Sequence, residues 1–192
     1  MAKIVLASHS PRRQQLLGTM GIRDFDIRVP EVEESCPAGL SPQQTVEHIS
    51  RQKSDAAAAL CTPEEILITA DTMVFLDDER LGKPADEGDA LRMLNALQGR
   101  SHIVCTGVTV RQGEQALTES VTTEVTFRQA TMTELLGYIH TGEPMDKAGA
   151  YGVQGLGALL VESIQGDFYN VMGLPVQRLS QMLMQFGVRF FN

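Results

Sequence analysis

The sequence predicts an α/β fold with a mixed, twisted central sheet flanked by helices. Helix and strand patterns alternate in the first half of the chain, whereas two long strand-like runs joined by a short turn occupy the middle. Alternation indicates parallel strands and a short hairpin connection requires antiparallel ones, so the sheet is expected to be mixed. The chain has 192 residues and no long linker, which favours one α/β domain, residues 1–192.

Capping and turn signals divide the first half of the chain into elements. Ser10 followed by Pro11 is typical of an N-cap with proline at the first helical position, and Ser41-Pro42-Gln43-Gln44 is a capping box. The predicted strands lie at 3–7, 25–29 and 66–71, and the last is continued by 73–76 and followed by a turn at 77–80. The predicted helices begin at Pro11, Ser41 and Asp86 and end near Gly21, Leu60 and Gly99.

The second half of the chain begins with two runs rich in Val and Thr. They predict strands at 102–110 and 116–128, joined by the hairpin turn RQGEQ. Thr131 with Glu134 is another capping box and predicts a helix that ends near Gly142. The remaining predicted elements are a glycine-rich loop at 142–157, strands at 158–163 and 168–172, and a helix from Pro175 to Phe186.

Charge and cysteine content exclude several classes of function. The 16 Lys and Arg residues against 24 Asp and Glu residues give a net charge of −8, which argues against non-specific binding to nucleic acid or to an anionic membrane. A small basic pocket for a phosphorylated ligand stays open. Cys36, Cys61 and Cys105 form no CxxC pair, and the start of the chain lacks the order of a signal peptide. A cytoplasmic protein with free thiols is therefore expected.

The segment ASHSPRRQ at 7–14 is the first candidate for chemistry. A buried strand runs into a turn and a helix start that carries Arg12 and Arg13. Backbone N–H groups and the positive end of the helix dipole, together with arginines, make such a start a natural phosphate site. The alternative is a capped helix with two solvated arginines, and spacing alone does not decide between them.

Asp71 and Lys83 are the second candidate. Asp71 follows an apolar strand, which is the usual position of a catalytic carboxylate in α/β folds. Gly82-Lys83 is no P-loop, because the upstream glycine is missing and Pro84 replaces the usual Ser or Thr, yet Lys83 can still pair with a phosphate. The alternative is that Asp71 only caps or hydrogen-bonds a loop.

The glycine-rich stretch DKAGAYGVQG at 146–155 is the third candidate. Glycine lets the backbone approach a ligand closely, and the Gln154 amide offers a donor and an acceptor suited to a nucleobase edge. Asp146 and Lys147 are expected to pair with each other or with phosphates. The alternative is a flexible turn. Together, the three stretches describe cations for phosphates, carboxylates for a metal or a water, and an amide for a base.

Seven motifs occur in the order found in one known family: LASHSPRRQQLL, VEE, ADTMV, LGKP, GRSHIVCTGV, GEPMDKAGAYGVQG and YNVMGLP. From about residue 3 to about residue 186 the chain closely resembles the Maf family of nucleoside triphosphate pyrophosphatases, and most of all its dTTP/UTP branch. The resemblance implies a fold similar to that of inosine triphosphate pyrophosphatases, with two lobes around a deep cleft. It also implies a divalent cation, Mg²⁺ or Mn²⁺, and hydrolysis between the α- and β-phosphates.

The resemblance assigns roles to matching positions of this chain. Asp71 is implied as the proton acceptor, although direct metal ligation by this residue stays open. Arg12, Thr72 and Gln154 match positions associated with substrate choice, and AGAYGVQG differs from the AGSFKSEG-like stretch of the methylated-GTP branch. The residues implied to bind phosphates and substrate are Ser8, Arg13, Lys53 and Lys83, and Glu33 is the expected metal ligand.

Two other classes of function stay open from the sequence. One is a nucleotide-binding regulator of cell division, because the family has been linked to septum formation. The other is a phosphate-binding domain or pyrophosphatase for another substrate, such as a sugar phosphate or a different modified nucleotide. The expected partner is a nucleoside triphosphate, with no nucleic acid and no membrane, and the resemblance suggests a homodimer.

Overall fold

The computed structural model describes residues 2–191 and contains seven strands and six α-helices in this range. The strands are β1 (Ile4–Leu6), β2 (Phe25–Ile27), β3 (Ile66–Leu76), β4 (Glu79–Leu81), β5 (Ser101–Gln112), β6 (Gln115–Phe127) and β7 (Val161–Gln165). The helices are α1 (Pro11–Thr19), α2 (Pro42–Ala58), α3 (Glu87–Leu97), α4 (Met132–Ile139), α5 (Phe168–Met172) and α6 (Val176–Gln185). Three 3₁₀ turns cover Glu143–Asp146, Ala148–Ala150 and Leu156–Leu160. None of the helices in residues 2–191 has the length and apolar character needed to cross a bilayer.

All seven strands belong to one sheet with the order β2-β1-β3-β5-β6-β7, and β4 pairs with β3. β1 is parallel to both of its neighbours, so Ile4 lies opposite Phe25 of β2 and Ile66 of β3. β4 is antiparallel to β3, and β7 is antiparallel to β6. The predicted α/β fold with a mixed central sheet is therefore confirmed.

The described chain forms two compact units, each built from segments that are distant in sequence. The first unit contains the chain up to Asp71, Thr106–Val121 and the chain from Gly173 onward. The second contains Thr72–Cys105 and Thr122–Met172. Three of the boundaries fall inside β3, β5 and β6, so the chain leaves one unit within a strand rather than through a linker. The assignment of residues 1–192 to a single domain stays a prediction.

In the first unit, α2 packs closely on β5 because Gly107 has no side chain. An ideal Cβ at Gly107 would lie 2.7 Å from the Glu47 backbone nitrogen and closer still to the Val46 carbonyl oxygen. Both neighbours are helix backbone, which cannot move aside as the end of a flexible side chain can. The absence of a side chain at this one position therefore sets how closely α2 approaches the sheet.

The second unit has three rings packed edge to face in its core. The centroid of Phe127 lies 5.0 Å from that of His102 and 4.7 Å from that of Tyr151. The His102 ring is buried, and its Nε2 lies 2.8 Å from the Tyr151 hydroxyl oxygen. Burial lowers the pKa of His102 to about 4, so the ring is neutral at neutral pH.

The prediction of a strand at 168–172 is wrong, because this segment is α5. Asp167 Oδ1 accepts hydrogen bonds from the backbone N–H groups of Tyr169 at 2.8 Å and Asn170 at 3.2 Å. Asp167 therefore caps a short helix. The sequence QGD, which predicts a turn between strands, instead provides the start of that helix.

Two strand boundaries also differ from the prediction. The strand expected at 158–163 begins only at Val161, because Leu156–Leu160 forms a 3₁₀ turn. The turn expected at 77–80 contains the start of β4, since β3 continues without a break to Leu76 and the chain reverses at once. Asp77 makes this tight reversal with a left-handed backbone, at φ 52°.

Candidate active site

The turn between β1 and α1 brings Ser8 and Arg13 together. The buried Ser8 Oγ accepts hydrogen bonds from the Ser10 backbone N–H and from Arg13 Nη1, both at 3.2 Å. Arg13 Nε also donates to the Gly173 carbonyl oxygen at 2.8 Å. Arg13 therefore ties the turn before α1 to the segment before α6, and the predicted pair Ser8 and Arg13 forms one hydrogen-bonded group.

Charges of both signs surround Arg13. Removal from water lowers the pKa of the Arg13 guanidinium. The negative charge of Asp71 opposes this change, the positive charge of Arg12 adds to it, and the negative charge of Glu34 opposes it. One arginine and two carboxylates of the first unit therefore lie within electrostatic reach of Arg13. Three of the four, Arg12, Arg13 and Asp71, are residues that the sequence predicts to act together.

Asp71 lies in the middle of β3, and its side chain is only 10% exposed. Its Oδ1 accepts a hydrogen bond from Lys53 Nζ at 2.7 Å. Its Oδ2 is also buried and has no hydrogen-bond partner among residues 2–191. A buried polar atom without a partner carries a desolvation cost that needs an explanation. An oxygen that is ready to receive a proton, a water or a cation is such an explanation.

Lys53 reaches Asp71 because α2 and β3 present matching faces. Ser50 precedes Lys53 by one helical turn, and Thr69 precedes Asp71 by one strand repeat, so each pair shares a face. Ser50 Oγ donates to the Thr69 carbonyl oxygen at 3.3 Å, and Thr69 Oγ1 donates to the Ser50 carbonyl oxygen at 2.8 Å. Ser50 Oγ also lies 3.0 Å from Thr109 Oγ1 of β5. These buried hydrogen bonds place the ion pair on rigid elements.

Glu34, the neighbour of the predicted Glu33, contacts Lys53 as a second carboxylate beside Asp71. Its Oε1 lies 2.9 Å from Lys53 Nζ. The loop that carries it is anchored on α2, since the Ser35 N–H donates to Gln52 Oε1 at 3.2 Å and Gln52 Nε2 donates to Ser35 Oγ at 3.1 Å. Glu33 is exposed, and its assignment as a metal ligand stays a prediction. Nothing in the sequence VEES distinguishes these adjacent glutamates.

The second unit contains the other predicted site residues, Thr72, Lys83 and Gln154. Thr72 is half-buried in β3, whereas Lys83 and Gln154 are exposed. The Gly149 N–H donates to the Gly82 carbonyl oxygen at 3.0 Å, which ties the segment bearing Lys83 to the glycine-rich loop. The roles of these three residues in binding and substrate choice stay predictions.

Glu143 organises the glycine-rich loop, and no sequence signal singles it out. Its carboxylate accepts hydrogen bonds from the Tyr138 hydroxyl at 2.9 Å, the Leu156 N–H at 2.8 Å and the Gly157 N–H at 3.0 Å. Burial alone would raise the pKa of Glu143, but these hydrogen bonds outweigh it and lower the pKa overall. The group is therefore ionised at neutral pH and accepts from all three donors.

Two glycines of this loop, Gly152 and Gly155, lie against side chains of the loop itself. An ideal Cβ at Gly152 would lie 2.7 Å from Lys147 Cε, and one at Gly155 would lie 2.6 Å from Glu143 Cδ. The sequence interpretation, in which glycine admits a ligand, therefore misses a packing role. Lys147 Nζ lies 2.6 Å from Asp146 Oδ1, which confirms the first of the two pairings expected for these residues.

A metal ion at this site would depend on few protein ligands. Residues 2–191 contain no group of three or more His, Cys, Asp or Glu side chains that could hold a metal ion. Mg²⁺ is often bound by one or two carboxylates together with substrate phosphates and waters. Asp71, with its unpartnered Oδ2, and Glu34 on the same lysine fit that donor set.

Known proteins are similar to this chain along almost its whole length. The model of the family described as Maf-like protein matches residues 3–186. The dTTP/UTP pyrophosphatase of Symbiobacterium thermophilum is 48% identical over 192 residues, which cover 100% of this chain and 98% of the relative. The dTTP/UTP pyrophosphatase of Bacillus velezensis is 46% identical over 187 residues, covering 97% of this chain and 98% of the relative.

A solved structure extends the comparison to the fold. A HAM1 protein from Coxiella burnetii superposes with a TM-score of 0.51 and covers 96% of this chain and 100% of its own. The two sequences are only 14% identical, so this likeness concerns the fold alone. It agrees with the mixed sheet described above.

Proposed function

Since the chain belongs to the family of Maf-like proteins, we propose that it hydrolyses dTTP and UTP to the nucleoside monophosphate and pyrophosphate. One structural observation carries the proposal: Asp71 is held by Lys53 through one carboxylate oxygen, while its other oxygen is buried without a partner among residues 2–191. The names of the relatives supply the substrate class, and the site geometry supplies a group suited to the hydrolytic step.

The phosphates of the substrate bind to cations, three of which belong to the first unit. Arg12 and Arg13 lie in the first turn of α1, where backbone N–H groups and the helix dipole also favour an anion. Lys53 is a third cation, and its contact with the exposed Glu34 is easier to exchange for a phosphate than its contact with the buried Asp71. Lys83 is proposed as a fourth. Neutralising the phosphates allows an electron-rich water to approach the α-phosphorus.

Asp71 assists the attacking water. The water oxygen forms a bond to the α-phosphorus, the bond between that phosphorus and the oxygen bridging to the β-phosphorus breaks, and pyrophosphate leaves. The proton lost by the water passes to Asp71 Oδ2, the oxygen that Lys53 does not occupy. General-base assistance of this kind contributes roughly 10²–10⁴-fold to the rate. Direct ligation of a cation by the same oxygen is the other assignment that fits this geometry.

A divalent cation, Mg²⁺ or Mn²⁺, is part of the proposal. When bound, it polarises the phosphates and stabilises the charge of the leaving pyrophosphate. Asp71 and Glu34 are the residues that would hold it, with Glu33 as the neighbouring candidate. Gln154 of the second unit reads the base, and Arg12 and Thr72 contribute to substrate choice. We further propose a cytoplasmic protein that acts on free nucleotides and assembles as a homodimer.

A nucleotide panel tests the proposed function. The protein is incubated with dTTP, UTP, CTP, GTP, ATP and a set of sugar phosphates, and both pyrophosphate and orthophosphate are measured. We expect pyrophosphate to be released faster from dTTP and UTP than from the other substrates. No product is expected when a chelator removes the divalent cation. Asp71→Asn is assayed beside wild type, with Asp78→Asn as its matched control, because Asp78 is an exposed aspartate on the turn that follows β3.

Three outcomes would contradict the proposal. Tight nucleotide binding without turnover would favour a regulator over an enzyme. Release of orthophosphate would move the cleaved bond, and turnover of sugar phosphates alone would replace the substrate class.

A further inference from the structure

Hydrogen bonds connect the Glu143 carboxylate to the backbone before and after Gln154. On one side, the Gly152 N–H donates at 3.1 Å to the Tyr138 hydroxyl oxygen, and that hydroxyl donates to Glu143 Oε1 at 2.9 Å. On the other side, the Leu156 N–H donates to Glu143 Oε2 at 2.8 Å. Gln154 itself is exposed and lies between these two anchors in sequence.

From these contacts we infer that Glu143 is a positioning residue for substrate choice: it holds the backbone on both sides of Gln154 so that the amide meets the base in one fixed geometry. The inference rests on the proposed function, because it assumes that Gln154 reads a base. In this role Glu143 does not touch the substrate. It acts through Tyr138 and the loop backbone.

The hydrogen bonds to the loop require a side chain that accepts on both of its terminal atoms. Both oxygens of Glu143 accept from N–H or O–H donors: Oε1 from Tyr138 and Gly157, and Oε2 from Leu156. A carboxylate accepts on both oxygens, whereas an amide has one oxygen and one NH₂ group. In Glu143→Gln, either orientation of the amide therefore sets a donor against a donor. The substituted side chain keeps its size but loses at least one hydrogen bond to Tyr138 or to the loop backbone.

Two glycines on either side of Gln154 are closely packed against neighbouring side chains. An ideal Cβ at Gly157 would lie 2.6 Å from the Tyr138 hydroxyl oxygen, and one at Gly152 would lie 2.7 Å from Lys147 Cε. Lys147 in turn donates from Nζ to the Glu143 carbonyl oxygen at 2.7 Å. The side chain and the backbone of Glu143 thus both contact the groups that define the loop.

Substrate preference is the first measurement. We expect Glu143→Gln to reduce the ratio of kcat/KM for UTP over CTP by about tenfold or more, because a misplaced amide loses hydrogen bonds to the correct base. The matched control is Glu162→Gln, which changes an exposed glutamate of β7 in the same unit and should leave the ratio unchanged. The same preference is measured as Kd for UTP and CTP in the presence of a chelator, which needs no turnover.

A double variant separates positioning from a general loss of structure. If Glu143 acts through Gln154, the variant carrying both Glu143→Gln and Gln154→Ala has the preference of Gln154→Ala alone. A preference that falls by the product of the two single effects would overturn the inference. So would an unchanged preference in Glu143→Gln.

Amide hydrogen exchange tests the contact without any substrate. We expect exchange at Leu156 and Gly157 to accelerate in Glu143→Gln and to stay unchanged in the control. Unchanged exchange at both amides would contradict the positioning role of Glu143, whether or not the protein is a pyrophosphatase. The opposite result is also distinguishable. If wild type releases no pyrophosphate, the proposed activity is wrong. If Glu143→Gln nevertheless alters amide exchange and the ratio of Kd values, the positioning role of Glu143 is retained. If Glu143→Gln does not fold, Tyr138→Phe removes the hydroxyl between Glu143 and Gly152 and is expected to change preference and exchange in the same direction.

Discussion

Lys53 Nζ lies 2.7 Å from Asp71 Oδ1, and the two side chains are only 20% and 10% exposed. The lysine thereby fixes the orientation of the carboxylate, which leaves Oδ2 as the oxygen without a partner in residues 2–191. The pair is attached to the sheet through neighbouring residues, since Ser50 and Thr69 bond to each other on the same faces of α2 and β3. An isosteric substitution at Asp71 is therefore expected to alter catalysis and not the fold.

Asp71→Asn is expected to fold normally and to lose most hydrolysis. The amide oxygen can still accept the hydrogen bond from Lys53, but the amide cannot take a proton from water at neutral pH. We expect kcat to fall by about 10²–10⁴-fold with a melting temperature near that of wild type. Turnover and thermal melting are measured on the same preparations, with Asp78→Asn as the control. Near wild-type turnover would exclude Asp71 from the mechanism, and loss of the folding transition would make its role structural.

Gly107→Ala is expected to destabilise the first unit. Its new Cβ would meet the backbone of α2 at Val46 and at the Glu47 nitrogen, 2.7 Å away, so the helix would have to move from the sheet. Overpacking of this kind costs about 1–3 kcal/mol. Urea unfolding gives the free energy of unfolding of the variant and of wild type.

Gly137→Ala is the matched control for this variant. Gly137 is an exposed residue inside α4, and an ideal Cβ there has no atom within 4 Å. Alanine in an exposed helix interior stabilises by about 0.5–1 kcal/mol relative to glycine. Opposite signs for the two variants are therefore expected. Equal stability of Gly107→Ala and wild type would show that α2 adjusts its position without cost.

Local signals predict much of this fold, and contacts between distant segments account for what they miss. The capping box at Ser41 predicts the start of α2 correctly, because Ser41 and its partner Gln44 are three residues apart. Asp71 is predicted because it ends an apolar run. Glu143, in contrast, takes its role from donors at Tyr138 and Gly157, and its own neighbourhood in sequence carries no sign of them.

The misassigned strand at 168–172 shows the same limit on a shorter scale. Phe168 and Tyr169 favour a strand by composition, but the Asp167 carboxylate caps the backbone that follows and selects a helix. The Asp167 backbone is itself tied to Thr123, whose Oγ1 accepts from the Asp167 N–H at 3.1 Å. A residue of β6 thus helps to decide the conformation of a segment far along the chain.

The stability of the protein is expected to fall as the solution is acidified from about pH 6.5 towards pH 4. His102 has an ordinary pKa of 6.5 when unfolded, and burial lowers its pKa to about 4 when folded. Between these values the unfolded chain binds a proton at His102 that the folded chain does not. The contribution of the neutral His102 to the free energy of unfolding is therefore complete above pH 6.5 and is lost as the pH falls towards 4. The full effect is of the order of 3 kcal/mol.

His102→Gln isolates this contribution from that of the carboxylates. The free energy of unfolding is measured at pH 7.5 and pH 5 for both proteins. A glutamine side chain does not titrate, so we expect a smaller loss between the two pH values in the variant, whatever its stability at pH 7.5. Equal losses in the two proteins would mean that other groups cause the whole dependence.

Gln154→Ala is expected to lower hydrolysis of dTTP and UTP and to flatten the preference over CTP. A glutamine amide can donate to a pyrimidine carbonyl and accept from the ring N3–H, which thymine and uracil both present. Cytosine presents an amino group and an unprotonated N3, so the same amide meets a mismatched edge. A mismatch that leaves a polar group unpaired costs roughly 1–3 kcal/mol, or about ten- to a hundredfold in selectivity.

The ratio of kcat/KM for UTP over CTP is compared between wild type and Gln154→Ala. Gln165→Ala is the control, because it removes an exposed amide from β7 of the same unit. Stability should change little, since Gln154 is exposed and the anchors of its loop are the backbone N–H groups of Gly152, Leu156 and Gly157. An unchanged ratio would mean that Gln154 does not read the base, and the selectivity would then have to come from Arg12, Thr72 or the backbone of the glycine-rich loop.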